Sequence, residues 1–304
     1  MKTTLLASTA LVLSVGAAAA ADFTMADTGH DHSITLSGDA RMGITNNHAG
    51  NSNSEYHLKF SSRARVQFTG AGETDGGLGF GFSFRSGDHG TTDAVDNGLA
   101  GSVFVSKGGH TLAMGDVDSA AEAAVGDVSG VGFEGLGSYN ETPFDLNDGR
   151  RSNLLYSYTG GALSFHLGMA NADDQIDPND PELGDSISLG VGYDAGTFNV
   201  ALGFESDEDG NDGVFLGAGA DIGAFAVNLV AADSDGTGDY WAVSADFTSG
   251  ATTFTVFAAD NDGSDTWGLG ATHDLGGGAA LEAGVVDSDS EDEVIYDLGI
   301  TMTF

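Results

Sequence analysis

The chain has 304 residues, and 46 acidic against 9 basic side chains give it a formal net charge of −37. Such a charge repels nucleic acid and anionic lipid, so nucleic acid is excluded as a partner. The absence of cysteine excludes a disulfide framework, a thiolate metal site and a cysteine nucleophile. Hydrophobic residues make up 40% of the chain and recur with a regular period, which indicates a folded all-β protein rather than a disordered one.

The N-terminus has the three parts of a secretory signal peptide. Lys2 gives a basic start, residues 5–15 an apolar core, and residues 16–21 a small-residue cleavage region. We therefore predict that residues 1–21 are removed on export and that residues 22–304 form the mature domain. Every later apolar run is interrupted within a few residues, so a helical membrane protein is not expected.

Alternation of apolar and polar residues predicts β-strands along the rest of the chain. In residues 56–69, Leu58 and Phe60 point to one face of the strand, while Lys59 and Arg63 point to the other. The other predicted strands are residues 33–44, 78–85, 99–107, 110–116, 151–159, 162–170, 185–194, 197–204, 213–221, 224–232, 238–248, 251–259, 265–274, 279–286 and 293–304. These make sixteen strands, with fourteen and eighteen left open as alternatives.

The C-terminal segment identifies the environment of these strands. From residue 294 every second residue up to Phe304 is large and apolar, and Ile295 is the one large apolar residue at the intervening positions. Such a strand is long enough to cross a bilayer at a tilt, and its backbone groups must then be paired within a closed sheet. We therefore predict a transmembrane antiparallel β-barrel of about 16 strands, which would leave an aqueous channel.

One connection is too long for an ordinary turn. Tight glycine-containing turns alternate with longer acidic connections along the chain, and residues 116–149 form the longest of these. We predict that residues 116–149 form a long third loop that folds into the barrel as a constriction loop.

The basic residues are concentrated in the first half of the chain, and no lysine or arginine follows Arg151. The alternation places five of them on the lumen face of three adjacent strands: Arg41, Lys59, Arg63, Arg65 and Arg85. The constriction loop offers five acidic counterparts: Asp116, Asp118, Glu122, Asp127 and Glu134. Opposed rows of charge would filter solutes by charge and width, or would pin the loop to the wall; both roles are compatible.

Several motifs of this chain resemble those of general-diffusion porins of the Rhodobacter (alphaproteobacterial) type. They are residues 33–38 (SITLSG) with Arg41, residues 61–65 (SSRAR), residues 72–81 (GETDGGLGFG), residues 115–120 (GDVDSA) and residues 132–134 (GFE). The resemblance implies a sixteen-stranded homotrimeric porin with an inward third loop and, in some members, bound calcium. It also implies that Arg41, Arg63, Arg65 and Arg85 form the basic wall, and that Asp118, Glu122 and Glu134 form the acidic edge. Lys59 and Asp116 rest on the alternation alone.

The expected function is therefore a water-filled channel for passive diffusion of small hydrophilic solutes and ions across the outer membrane of a Gram-negative bacterium. The acidic charge predicts cation selectivity. A solute-specific barrel channel, for sugars or other small nutrients, is the alternative. The expected partners are further copies of the chain in a homotrimer, outer-membrane lipid and lipopolysaccharide, and the solutes themselves.

We expect neither catalysis nor a cofactor. The histidines lie in no Ser/His/Asp arrangement, and the G-x-S-x-G motif is missing. Residues 207–213 and 260–265 imitate calcium loops without the glycine and glutamate that such loops require, so Ca²⁺ is expected only as an adventitious or structural ion. The His30-Asp31-His32 segment is expected to be solvated rather than to bind a metal.

Overall fold

A ring of antiparallel strands makes up most of the chain in the computed structural model. The structure describes residues 21–22, 32–46, 58–87, 101–144, 153–170, 186–207 and 210–304. In chain order the elements are β1 (Ala21–Asp22), β2 (His32–Thr45), β3 (Lys59–Glu73), β4 (Gly79–Gly87), β5 (Ser102–Lys107), β6 (His110–Gly115), α1 (Ala120–Val125), β7 (Asn153–Gly160), β8 (Leu163–Ala170), β9 (Ser186–Asp194), β10 (Phe198–Asp207), β11 (Asp212–Ile222), β12 (Phe225–Ser234), β13 (Gly238–Ser249), β14 (Thr252–Asn261), β15 (Ser264–Gly276), β16 (Ala279–Ser288) and β17 (Ile295–Thr303).

The ring is closed by its first and last long strands. Each strand from β2 to β17 pairs in antiparallel fashion with the next, and β17 pairs with β2 from Asp297↔Thr45 to Thr303↔Asp39. The two-residue strand β1 adds beside β2, with Ala21 opposite Leu36. The prediction of a closed sixteen-stranded antiparallel barrel is therefore confirmed. The predicted signal peptide lies outside the described residues except for Ala21, and its cleavage stays a prediction.

The outward face of the barrel is apolar. Large side chains at alternate positions are about half exposed, as for Leu202 at 58%, Leu269 at 51% and Leu298 at 45%. Exposed apolar residues in a continuous band around a barrel are typical of a lipid-facing surface. No helix within the described ranges is long and apolar enough to span a membrane.

The two rims of the barrel differ in their connections. At one rim, which we call the short-turn rim, strands are joined by a few residues, for example 108–109, 161–162 and 250–251. Aromatic rings pair beside this rim, with Phe225 4.9 Å from Phe247 between ring centroids. At the opposite, long-loop rim the chain runs from β6 to β7 through residues 116–152, of which residues 116–144 are described. This rim asymmetry and the aromatic pairs are typical of outer-membrane barrels.

The long loop packs on the inner wall of the barrel. Its buried residues Val128, Val131 and Leu136 form one apolar cluster with inward-facing residues of the strands; those wall residues are Val230, Tyr240, Ala242, Phe257, Ala259, Val286 and Ile295. The expected inward-folded third loop is therefore present. The predicted end of the loop, residues 145–149, lies outside the described residues.

Candidate constriction site

The constriction loop begins with a short capped helix. The Ser119 side chain accepts a hydrogen bond from the backbone N–H of Glu122 at 2.9 Å, which is the N-cap half of a capping box. Helix α1 ends at Val125 and is capped by Gly126, whose φ of 65° lies in the region that favours glycine. The backbone N–H of Ala120 donates to the Ser188 hydroxyl of β9 at 2.8 Å, and this buried contact fixes the start of the helix to the wall.

Glycines of the barrel wall make room for the loop. A Cβ at Gly203 would lie 2.8 Å from the Ala121 Cβ, and a Cβ at Gly190 would lie 2.7 Å from the Ala124 Cβ. Beyond the helix, a Cβ at Gly284 would lie 2.6 Å from the backbone N of Gly132. The same close approach recurs at Gly43, Gly168, Gly270 and Gly299. Only a wall without side chains at these positions lets the backbone of the loop pass so close.

Beyond the helix, hydrogen bonds tie the loop to strands on the far side of the lumen. The backbone N–H of Ser129 donates to the Ser244 hydroxyl at 3.0 Å, and the Ser129 hydroxyl donates to Asp246 at 2.7 Å. The backbone N–H of Glu134 donates to the Asp297 carboxylate at 3.0 Å. Because these anchors lie on β13 and β17, the loop follows much of the inner circumference of the barrel between β6 and β7.

The basic wall is held together by a carboxylate of its own. Arg65 and Asp39 lie directly opposite each other on β3 and β2, and the Arg65 Nε lies 3.0 Å from an Asp39 oxygen. Arg63, which lies opposite Arg41, reaches the second Asp39 oxygen at 3.4 Å. Both of these ion pairs are partly exposed, since the side chains of Arg63 and Asp39 are about one-third accessible. Each pair therefore contributes about 0 to 1 kcal/mol to stability.

One arginine of the wall touches the loop. The Arg41 guanidinium donates to the backbone carbonyl of Phe133 at 3.1 Å, and its Cζ lies 6.0 Å from the centre of the Phe133 ring. Lys59 and Arg85 are exposed, at the start of β3 and near the end of β4. Among the described residues, the wall therefore meets the loop through a main-chain oxygen and an aromatic ring.

Four acidic residues in the first part of the loop, Asp116, Asp118, Glu122 and Asp127, lie near one another. Burial and the nearby carboxylates of Asp118, Asp127 and Glu205 raise the pKa of Glu122 to about 7. Burial, followed by Asp116 and Asp127, also raises the pKa of Asp118. Within the described ranges no ion pair joins these groups to the basic wall. Like charges that raise one another's pKa create a locally negative potential in the lumen.

The remaining predicted acids have different surroundings. The Asp127 carboxylate accepts a hydrogen bond from the backbone N–H of Thr142 at 2.7 Å. This bond joins the two ends of the loop segment 127–142 that follows α1. Glu134 is attached to Asp297 through its main chain, while Asp116 is exposed at the end of β6. The structure thus groups Asp118, Glu122 and Asp127 together and sets Glu134 apart from them.

Sequence reasoning did not identify Asp39, Asp297 or the wall glycines as parts of the site. Asp39 alternates onto the same face as Arg41, so strand parity could have suggested it as a partner. Ile295, the apolar residue that breaks the alternation of β17, is fully buried against the loop. Its position at an expected lumen site was therefore the sequence signal that the inner wall carries a packed segment.

A metal site is not formed by the side chains that the structure describes. No group of three or more histidine and carboxylate side chains in those ranges is arranged to hold an ion. His30 and Asp31, like residues 208 and 209 of the first calcium-like segment, lie outside the described residues. Calcium binding stays a prediction.

Comparison with known proteins agrees with this architecture. A family model described as Gram-negative porin matches residues 7–293. The chain belongs to the Gram-negative porin family. The resemblance read from the motifs is therefore confirmed, and membership implies an outer-membrane location.

Individual relatives of this porin are also similar to it. It is 35% identical over 179 residues to a porin of Rhodobacter capsulatus, and the alignment covers 57% of this chain and 56% of that relative. The aligned part thus spans little more than half of the curated relative. A porin structure refined at 1.8 Å resolution superimposes with a TM-score of 0.73 and 31% identity, covering 89% of this chain and 100% of the other. A mutant porin of Rh. blastica gives a TM-score of 0.67 at 24% identity over the same shares, which supports the fold.

Proposed function

We propose that this porin forms a water-filled channel for passive diffusion of small hydrophilic solutes and ions, with a preference for cations. The observation that carries the proposal is the cluster of Asp118, Glu122 and Asp127 inside the barrel, which lacks a cationic partner within the described residues. Two wall arginines, by contrast, share the carboxylate of Asp39. A negative potential at the narrowest part of a pore concentrates cations and repels anions.

Reversal potentials across a salt gradient test the charge preference. The purified mature porin is inserted into a planar bilayer, and wild type is compared with Asp118→Asn/Glu122→Gln and with Arg63→Ala. We expect a cation preference that falls in the carboxylate variant and rises in the arginine variant. Glu73→Gln is the matched control, because Glu73 is exposed at the opposite, short-turn rim and should leave the preference unchanged. Anion preference in wild type would refute the proposal.

The same recordings test whether the barrel is open and how many copies assemble. A homotrimer of independent pores should give conductance steps in groups of three, and chemical cross-linking should give a three-chain product. Support for the trimer comes from the family resemblance. A correctly folded barrel that conducts no ions would refute the channel, and a single-step channel would refute the trimer.

We also propose that residues 1–21 direct export of the chain and are then cleaved off. We propose in addition that the protein has no catalytic role. Both parts are supported by membership of a family of channels and by the form of the N-terminal segment. N-terminal sequencing of protein purified from outer membranes would locate the cleavage site. A mature chain that begins before residue 22 would contradict the first part.

A further inference from the structure

One pair of neighbouring strands in the barrel is not consecutive in the sequence. Every other pair from β2 to β17 is joined by its own connection, whereas β17 and β2 lie at opposite ends of the strand order. We call the pairing of these two strands the seam. It matches residues 297–303 with residues 39–45, while β2 pairs with β3 through residues 32–45 and 59–72. The seam is therefore shorter than the other pairing of β2, and no turn supports it.

The tip of the constriction loop, residues 132–134, rests on the seam. Gly43 of β2 and Gly299 of β17 lie directly opposite each other, and the Phe133 ring, which is 4% exposed, lies across them. A Cβ at Gly43 would lie 2.8 Å from this ring, and a Cβ at Gly299 would lie 2.6 Å from it. One aromatic side chain of the loop thus covers both strands of the seam.

The backbone of the loop tip is also attached to both strands. The peptide group between Phe133 and Glu134 accepts a hydrogen bond from the Arg41 guanidinium of β2 at 3.1 Å. The N–H of the same peptide group donates to the buried carboxyl group of Asp297, on β17, at 3.0 Å. Hydrogen bonds from a guanidinium are stronger than those between neutral groups. A single peptide group of the loop therefore bridges a side chain of β2 and a side chain of β17.

A side chain also extends the seam at the long-loop rim. Asn46 directly follows β2, and its amide donates to the Val294 carbonyl at 3.0 Å and accepts from the Tyr296 N–H at 2.6 Å. The seam is thus supported by contacts outside its strand ladder both at this end and on its lumen face.

We propose that the tip of the constriction loop has a second role, which is to stabilise the pairing of β17 with β2. Phe133, Arg41 and Asp297 are the positioning residues for this role. To open the seam, the Phe133 ring must leave one of its two glycines, and the peptide group must lose one of its two partners. The proposal depends on these contacts alone and is independent of the ion preference and of the number of copies in the assembly.

Hydrogen–deuterium exchange of the folded porin in detergent, measured by mass spectrometry of its peptides, tests the proposal. Amides exchange when their hydrogen bonds open locally, so the seam is measured separately from other strand pairs. In Phe133→Ala we expect peptides that cover residues 39–45 and 297–303 to exchange at least about tenfold faster than in wild type, because a buried aromatic ring is lost from both strands. Peptides of β13 and β14 should exchange as in wild type.

A second variant tests the polar attachment. Arg41→Met keeps the length of the side chain and removes the donor to Phe133, so we expect exchange at the seam to be about 3- to 10-fold faster. Arg85→Met is the matched control, because it removes the same charge from the basic wall at an exposed position on β4, which β3 separates from β2. Exchange at the seam should not change in this control.

Val128→Ala is the control for the loss of a buried side chain from the loop. Val128 is 3% exposed and lies next to Ser129, which is attached to Ser244 of β13 rather than to the seam. We expect Val128→Ala to leave exchange at the seam within about twofold of wild type.

Three results would overturn the proposal. Equal acceleration at the seam and at β13 and β14 in Phe133→Ala would show that the loop tip stabilises the barrel as a whole. Wild-type exchange at the seam in both Phe133→Ala and Arg41→Met would show that the tip rests on the seam without stabilising it. An equal effect of Val128→Ala on the seam would assign the effect to the entire loop. Conductance is recorded separately, so a barrel that conducts no ions would refute the channel and leave the exchange comparison intact.

Discussion

Adding one methyl group to the wall beneath α1 should displace the constriction loop. In Gly190→Ala the new Cβ would lie 2.7 Å from the Ala124 Cβ and 3.0 Å from the Ala120 carbonyl carbon. It would approach the Ala120 carbonyl oxygen still more closely. The obstructing atoms belong largely to helix backbone, and the Ala120 N–H is already fixed to Ser188, so no flexible side chain can turn away.

The size of the effect follows from these distances. Ordinary van der Waals contact begins at 3.4 Å, so the helix must move by at least about 0.7 Å at Ala124. Overpacking of this kind costs about 1 to 3 kcal/mol. Because α1 lies on the lumen side of the wall, the movement is toward the pore. We therefore expect a less heat-resistant barrel with a lower single-channel conductance.

Gly192→Ala is the matched control for this prediction. Gly192 lies on the same strand and face, but its new Cβ would meet only the Ser164 side chain, whose hydroxyl oxygen at 2.5 Å can rotate away. Both variants lose the same backbone freedom in the unfolded state. The measurements are conductance in a planar bilayer and the temperature at which the folded form is lost on a denaturing gel. If Gly190→Ala matches Gly192→Ala in both, α1 does not rest on the wall in the way described.

Two further predictions concern charge. Burial and neighbouring carboxylates raise the pKa of Glu122 from 4.5 to about 7, so the cation preference should increase as the pH rises through about 7. Glu122→Gln should remove this increase, and the control Glu73→Gln should retain it. The folded state binds this proton more tightly than the unfolded state, so the stability of the folded loop should fall as the pH rises from 4.5 to about 7, as measured by thermal unfolding at several pH values. A preference that is constant with pH would contradict the assignment. Asp39→Asn should leave Arg63 and Arg65 without their carboxylate and so reduce the cation preference. The free energy of unfolding should change by about 0 to 1 kcal/mol per ion pair. An increased cation preference in reversal-potential recordings would show that Asp39 does not neutralise the wall.

Strand periodicity predicted the barrel because a two-residue period is a local property. Each lipid-facing position is set by its own strand, and the outward face of β17, with Tyr296 and Leu298 about half exposed, was readable from the C-terminal residues alone. The barrel shape then followed from the requirement that backbone groups in lipid be paired.

The path of the loop was only partly predictable, because it depends on which distant strand each loop residue meets. The length of the connection indicated an inward segment, and the basic residues indicated one wall of the pore. The sequence did not show that α1 would pack on glycines of β8 to β11, or that Asp39 would pair with Arg63 and Arg65. These contacts join residues far apart in the chain, and a glycine in a strand has the same appearance whether it faces lipid, water or a loop.

The seam between β17 and β2 makes the completion of folding depend on two strands that lie far apart in the sequence. Phe304 and Gly38 exchange backbone hydrogen bonds at 2.9 and 3.1 Å, so the last residue is part of the joint that closes the ring. Until β17 pairs with them, β2 and β16 each have a free edge whose backbone N–H and C=O groups find no hydrogen-bond partner in lipid. Such edges can pair with strands of other chains. A nascent chain without β17 therefore has no stable membrane-embedded intermediate and depends on protection from aggregation until its final strand is available.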